Sequence, residues 1–370
     1  MDFAALDGDA APSAPPFVGA QERKARQLSL LLKTEIRPQQ VIFSYSPMAL
    51  LAPLYADKSV LVVGNNNQPS NQWKQIARHD LGFRHVFDLD DMQCLNADWV
   101  PLKNWGRCRP LPSARGARQH AEISAILQFC EPDDALNDAQ LLLDVLLAPQ
   151  GRVRYDASAQ PYVCREQQIP YYYNNDDFFI TTDCALPRLG PGAFRDMLST
   201  LYEAVTGDRL SCVVYGKPRQ ILFAYAEAQL TKLIETTYNP RFLQPHAGAA
   251  QRVGDQLQTI FMIGEGTETA VMGANARGGR WCSVQVLSGS ASPPLRRRKI
   301  IKDDEEQLFF ERHAGLDGAS ELAAPAYVAP TLDHFVRELL ALPREVMLEN
   351  QRRFFGEPLI VHLHDVYNWS

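Results

Sequence analysis

Two polar side chains follow apolar runs that have the composition of buried β-strands. Lys217 comes shortly after residues 212–214, and Glu265 follows residues 261–263 and a single glycine. Parallel strands present such residues at one edge of a sheet, where α/β proteins bind ligands. A lysine there can neutralise phosphate charge, and a carboxylate there can bind Mg²⁺. The two positions therefore indicate phosphate chemistry.

The segments around both residues resemble, in order and spacing, motifs III and IV of the haloacid dehalogenase (HAD) superfamily. Residues 216–218 read GKP, and residues 264–289 read GEGTETAVMGANARGGRWCSVQVLSG. The second segment is similar to GDNPxSDIxGANxxGWxSxLVxTG, the pattern of the cat-eye-syndrome critical-region branch of subclass IIA. That branch consists of mitochondrial hydrolases with a large α/β cap, and the resemblance is continuous from about residue 20 to residue 289.

The resemblance implies an α/β fold with a HAD-like Rossmannoid parallel sheet, a large inserted α/β cap domain and a C-terminal extension. It divides the chain into four segments. They are residues 1–50, the first part of the core; 51–204, the cap; 205–290, the second part of the core with motifs III and IV; and 291–370, a helical extension that we interpret as an interaction module.

The metal-binding residues of the family are altered in this sequence. Glu265 stands where the family has its first metal aspartate, and Ala270 stands where it has the second. The additional methylene of a glutamate moves its oxygens by roughly 1 to 1.5 Å, which an octahedral Mg²⁺ site tolerates poorly. An alanine binds no metal at all. We therefore expect no cofactor, with Mg²⁺ as the alternative.

The nucleophile motif is also altered. The family has a DxD pair in which the first aspartate attacks phosphorus and the second acts as acid and base. The N-terminus reads FAALDGDAA, and one alignment places Ala5 at the nucleophile position. Asp7 and Asp9 match the DxD spacing, with six residues ahead of them. The alternative interpretation, without a catalytic role, is a disordered acidic tail. The hydroxyl of motif II has no counterpart at residues 16–20.

One cap loop is better retained. IPYYYNNDDFFI at residues 169–180 is similar to IYFSNPDLLW of the family, with Asn175 and Asp177 kept and Asp176 in place of the proline. The resemblance implies that this loop leans from the cap toward the catalytic cleft. Asp177 is then the cap residue nearest any ligand.

Composition limits the remaining functions. A net charge of −6 over 370 residues argues against nucleic-acid binding along the whole surface, although the basic segments 103–118 and 296–299 leave an RNA contact open. The seven cysteines lack paired spacing and fit buried thiols in a reducing compartment. No apolar run approaches 18 residues, so we expect no membrane span.

A family scaffold without its chemical groups predicts a catalytically degenerate, hydrolase-like protein. We interpret it as a structural or scaffold subunit of a larger assembly, whose protein partners contact the C-terminal extension. The alternative is a Mg²⁺-dependent HAD phosphatase of small phosphorylated metabolites that uses Asp7, Asp9, Lys217 and Glu265. The resemblance implies a mitochondrial location, whereas the N-terminus lacks an Arg-rich, acid-poor presequence, and the cytoplasm is the other expectation.

Overall fold

The computed structural model describes residues 18–65, 72–95, 99, 120–154, 166–180, 184, 186, 188–237, 259–287, 325–341 and 361–362. The α-helices are α1 Ala20–Leu32, α2 Gln72–Gln75, α3 Leu89–Leu95, α4 Ala135–Leu147, α5 Pro191–Thr206, α6 Gln220–Thr237, α7 Met272–Arg277 and α8 Leu332–Ala341. Segments Pro38–Gln40, Ser46–Tyr55 and Pro149–Gly151 are 3₁₀ helices, and Ile76–Asp80 and Thr267–Val271 are π-helical.

The strands are β1 Ser59–Val63, β2 His85–Asp88, β3 His120–Glu122, β4 Ala125–Gln128, β5 Arg152–Arg154, β6 Tyr171–Tyr173, β7 Phe179–Ile180, β8 Arg188–Leu189, β9 Cys212–Val214, β10 Ile260–Gly264, β11 Trp281–Val286, β12 Tyr327–Ala329 and β13 Val361–His362. They form two parallel sheets and two short antiparallel pairs, β3–β5 and β7–β8. The α/β class with parallel sheets, predicted from the sequence, is confirmed.

The larger sheet has five parallel strands in the order β2–β1–β4–β6–β9. Strand β1, with the sequence SVLVV, is buried on both faces, as a central strand of a parallel sheet requires. One face packs against α4 and α5. The other packs against the helix Ser46–Tyr55 and against Ala20 of α1. This hydrophobic contact crosses the predicted boundary at residue 50, which stays a prediction.

The segment 205–290, predicted to be the second part of the core, contributes strands to both sheets, and the domain division stays a prediction. Strand β9 pairs in parallel with β6, because Tyr171–Tyr173 align with Cys212–Val214. The Tyr215 amide extends this ladder by donating to the Tyr173 carbonyl at 2.8 Å. Strand β9 therefore belongs with the strands of the predicted cap, whereas β10 and β11 begin the second sheet.

The second sheet has four parallel strands in the order β10–β11–β12–β13. Two of its strands come from the predicted C-terminal extension, so this segment contributes strands to the sheet as well as helix α8. Tyr327 and Ala329 of β12 are buried, and Phe335 of α8 is 2% exposed. The phenyl ring of Phe335 lies 5.5 Å from that of Phe261 on β10. Residues 325–341 thus pack as part of the sheet's core.

Helix α6 connects the two sheets. Its Phe223 packs edge-on against Trp281 of β11, with ring centroids 5.2 Å apart. Its first turn places Ile221 in the hydrophobic cluster of the five-stranded sheet. None of the helices in the described residues has the length and hydropathy that a membrane span needs.

Candidate functional site

The turn that carries Lys217 is built directly on the loop after β6. The turn closes when the Arg219 amide donates to the Gly216 carbonyl at 2.9 Å. Gly216 lies so close to the loop that a Cβ atom on it would be 1.8 Å from the Asn174 carbonyl oxygen. Lys217 is exposed at the carboxyl end of β9, in the predicted position. The sheet therefore brings Lys217 next to the loop that contains Asn175 and Asp177.

A second contact holds the turn from the other side. The Gln220 side-chain amide donates to the Gly273 carbonyl of α7 at 3.1 Å. A Cβ atom on Gly273 would lie 3.2 Å from the Cα of Pro218. The turn that carries Lys217 therefore lies between the loop after β6 and helix α7.

The cap loop, residues 174–177, is stabilised by short-range hydrogen bonds. The Asn175 Oδ1 atom accepts from the Asp177 amide at 2.9 Å, which closes an Asx turn. The Asp177 carbonyl accepts from the Gly192 amide at the start of α5 at 3.0 Å. A Cβ on Gly192 would lie 2.4 Å from the Asp176 carbonyl oxygen, so α5 has to start with a glycine there. The Asp177 side chain is exposed, and Asn175 is partly buried.

Asp176, which stands where the family has a proline, makes the strongest contacts in this loop. Its carboxylate pairs with the Arg195 guanidinium at 3.1 Å and accepts from the Tyr173 hydroxyl at 3.1 Å. The same guanidinium donates to the Tyr173 hydroxyl at 2.7 Å. Burial, and then the Asp176 carboxylate, raise the pKa of Tyr173 far above its usual range, so this phenol remains neutral. Sequence reasoning missed Arg195 because nothing local distinguishes an arginine on α5 that reaches back to the loop.

The motif IV residues do not form a metal site with the other described residues. Glu265 is exposed, and its backbone carbonyl accepts from the Gln285 side chain at 3.2 Å. Ala270 is 3% exposed, and its Cβ would lie 2.7 Å from a Cβ on Gly264. No group of three or more His, Cys, Asp or Glu residues that could hold a metal ion exists within the described ranges. Magnesium therefore does not fit these residues, because Mg²⁺ requires several oxygen ligands in octahedral geometry.

Behind the motif IV helix, an ionic cluster fastens α6 to β11. Glu227 accepts hydrogen bonds from the Trp281 indole at 3.1 Å and from Arg277 at 3.0 Å. Burial alone would raise the pKa of Glu227, but the hydrogen bonds from Trp281 and Arg277 outweigh it and lower the pKa. The cluster keeps α6 and the turn ahead of it in place relative to the second sheet.

Several predicted residues lie outside the part of the chain that the structure describes. These are Asp7 and Asp9, and the basic segments 103–118 and 296–299. The nucleophile assignment and the RNA contact stay predictions. The described residues provide a cationic turn at the start of a helix, and a single carboxylate where the family has two.

Comparisons with known proteins support the resemblance. No family model matches the chain. The chain is 26% identical over 294 residues to a cardiolipin synthase (CMP-forming)/mitochondrial hydrolase fusion protein of Schizosaccharomyces pombe, covering 78% of this chain but only 42% of that protein. It is 25% identical over 314 residues to mitochondrial hydrolase YKR070W of Saccharomyces cerevisiae, covering 80% of this chain and 84% of that protein.

A similar solved structure is a possible sugar phosphatase of the HAD superfamily from Cytophaga hutchinsonii, with 15% identity, a TM-score of 0.45, and coverage of 85% of this chain and 78% of that one. The two curated relatives are named mitochondrial hydrolases, as are the members of the branch inferred from the motifs. The predicted resemblance is confirmed at this level.

Proposed function

We propose, from this relation to the HAD-like mitochondrial hydrolases, that the chain keeps a hydrolase scaffold without metal-dependent phosphoryl transfer. It acts as a structural or scaffold subunit of a larger assembly in mitochondria. The observation that carries the proposal is the buried Ala270. It stands where the resemblance places a metal carboxylate, and it lies against Gly264 with 3% exposure.

The loss of this carboxylate has a large expected effect on rate. Catalytic groups that act as a unit lose many powers of ten in rate when one member is removed. Glu265 offers one exposed carboxylate, and a single carboxylate on the surface binds Mg²⁺ weakly. The remaining cation, Lys217, can bind a phosphate group but supplies neither a nucleophile nor a metal.

Helix α8 supports the assembly part of the proposal. Leu332, Val336 and Leu340 recur every four residues, and are 52%, 39% and 81% exposed. Phe335 is buried, and Leu339 packs against the core of the second sheet. A helix that packs one apolar face on its own sheet and exposes a second can dock on a protein partner. The location in mitochondria is supported by the names of the two relatives.

Two measurements test the proposal. With p-nitrophenyl phosphate and Mg²⁺, we expect no turnover above background. Turnover that disappears in Asp7→Asn would overturn the loss of catalysis. In native gels of mitochondrial extract, we expect the protein in a large complex that Leu340→Glu disrupts. The matched control is Leu54→Glu, which alters an exposed leucine, 65% accessible, on the helix Ser46–Tyr55.

The second candidate is a Mg²⁺-dependent phosphatase acting on small phosphorylated metabolites. The observation that favours it is the exposure of both Lys217 and Glu265 at strand ends, where a substrate can reach them. It requires Asp7 and Asp9 as nucleophile and acid. The same assay separates the candidates, because a phosphatase would show turnover that needs Mg²⁺ and is lost in both Lys217→Met and Asp7→Asn.

A further inference from the structure

The turn from Gly216 to Arg219 carries two cations. Lys217 is exposed, and Arg219 is partly buried. Within the described ranges neither side chain has an ion pair, and the Arg219 Nε atom is buried without a hydrogen-bond partner. By contrast, Arg195 and Arg277 are paired with carboxylates. A buried guanidinium N–H without an acceptor is costly, so Arg219 indicates a site for an acceptor that the described side chains do not provide.

Helix α6 begins directly after Arg219. It has 18 residues, and its first turn contains no acidic side chain. The first backbone N–H groups of a helix lack internal partners, and the aligned peptide dipoles make this end positive. Such an end favours phosphate and other anions. Lys217 and Arg219 thus directly precede the positive end of this helix.

Beside the turn, Asn174 supplies an acceptor. The residue is 2% exposed, and its Nδ2 atom lies 3.3 Å from Ser44 Oγ, whereas its Oδ1 atom is buried without a partner. Ser44 precedes Tyr45, which packs in the same hydrophobic cluster as Tyr215 and as Ile221 in the first turn of α6. The Asn174 side chain therefore points to the side of the sheet on which α6 begins. Its Oδ1 atom can accept a hydrogen bond from a ligand that reaches this site.

We propose that Arg219 joins Lys217 as a second anion-binding residue, and that this turn binds a phosphate monoester with a neighbouring hydroxyl group without a metal ion. The inference rests on the proposed function, since the ligand is bound and not hydrolysed. A phosphate monoester is close to a dianion at neutral pH, and Lys217 and Arg219 together supply two positive charges. In this arrangement Arg219 and Lys217 neutralise the phosphate, and the Asn174 Oδ1 atom accepts a hydrogen bond from the neighbouring hydroxyl group.

Calorimetric titration with 2-hydroxyethyl phosphate in EDTA tests the binding residues. We expect binding that EDTA does not abolish. Arg219→Gln should weaken it about tenfold or more, because a charge-assisted hydrogen bond is lost. The matched control is Arg209→Gln, which removes an exposed arginine ahead of β9 and outside the turn. The inference is overturned if binding requires Mg²⁺, if Arg219→Gln binds like the wild type, or if the wild type does not bind at millimolar concentration.

Ethyl phosphate, which lacks the hydroxyl group, tests the role of Asn174. We expect 2-hydroxyethyl phosphate to bind about threefold to tenfold more tightly, the effect of one hydrogen bond. Equal affinity would remove Asn174 from the site. Far-ultraviolet circular dichroism and melting curves of Arg219→Gln separate lost binding from lost folding. Turnover of p-nitrophenyl phosphate would refute the proposed function but leave the Arg219 site in place. If the protein neither binds 2-hydroxyethyl phosphate nor turns over p-nitrophenyl phosphate, the Arg219 site is refuted and the proposed function stands.

Discussion

Replacing Gly216 by alanine tests whether close packing between the turn and the cap loop positions Lys217. The new Cβ would lie 1.8 Å from the Asn174 carbonyl oxygen and 2.7 Å from its carbon. An acceptable contact needs at least 3.0 Å, so the turn and the loop have to separate by roughly 1 Å. Both obstacles are backbone atoms, and no side-chain rotation can relieve them.

The magnitude follows from two opposing effects. Overpacking a rigid site costs typically 1 to 3 kcal/mol, whereas glycine to alanine stabilises by about 0.4 to 1 kcal/mol through the unfolded chain. Because the clash is with backbone, we expect the upper part of the first range and a net loss of about 2 kcal/mol in the free energy of unfolding. The separation also moves Lys217 away from Asn174, so affinity for 2-hydroxyethyl phosphate should fall.

Urea unfolding followed by circular dichroism measures the loss of stability. The control is Gly207→Ala at the end of α5, where φ is +83° and no atom lies within 4 Å of a new Cβ. In that variant only the left-handed backbone should lower the free energy of unfolding, by about 1 to 2 kcal/mol. It should bind 2-hydroxyethyl phosphate like the wild type. The reasoning is refuted if Gly216→Ala retains wild-type ligand affinity and is as stable as the wild type.

Three further predictions concern stability. Burial raises the pKa of Asp144 from 3.8 to about 6, so ionisation of this carboxyl favours the unfolded state and wild-type stability falls between pH 3.8 and pH 6. Asp144→Asn should therefore raise the free energy of unfolding by at most about 3 kcal/mol at pH 8, an upper value because the carboxyl is partly exposed to solvent, and by about half as much at pH 5. Urea titrations at the two pH values measure the gain, and an equal gain at pH 5 and pH 8 would contradict the raised pKa of Asp144. Arg195→Met removes the guanidinium that pairs with the Asp176 carboxylate, whose side chain is 14% exposed, and should cost about 3 to 5 kcal/mol, partly restored by adding Asp176→Asn; no restoration would argue against the ion pair. Phe335→Ala should cost about 3 to 5 kcal/mol in the same titration if the C-terminal segment belongs to the core, whereas an appended module would leave the midpoint unchanged.

The sequence was sufficient for elements whose signal is local. The apolar run of β1 and the periodic spacing of apolar residues in α4 predict a strand and a helix at the observed places. Both patterns can be read from a short stretch of sequence, because they show which faces of the element are buried. The C-terminal segment shows the limit. Strand β12 has three residues, too few for a pattern. It is a strand because it pairs with the edge that β11 provides.

The same division holds for the candidate site. Lys217 and Glu265 could be named from the sequence because each follows its own strand and turn. The pair of Arg195 and Asp176 could not, since it joins a helix to a loop across an intervening hairpin. Neither could the position of Asn174, whose backbone carbonyl lies against Gly216 while its side-chain Oδ1 atom is buried without a hydrogen-bond partner.

By itself, the sequence determined the class of the fold, the turn that carries Lys217, and the absence of a carboxylate at residue 270. These are properties of residue type and local order. Only the tertiary structure decided that β9 joins the five-stranded sheet, that the C-terminal segment completes the second sheet, and that Arg219 has no acidic partner within the described residues. The reason is that strand pairing and ion pairing depend on which distant segments meet, and packing of the whole chain sets those contacts.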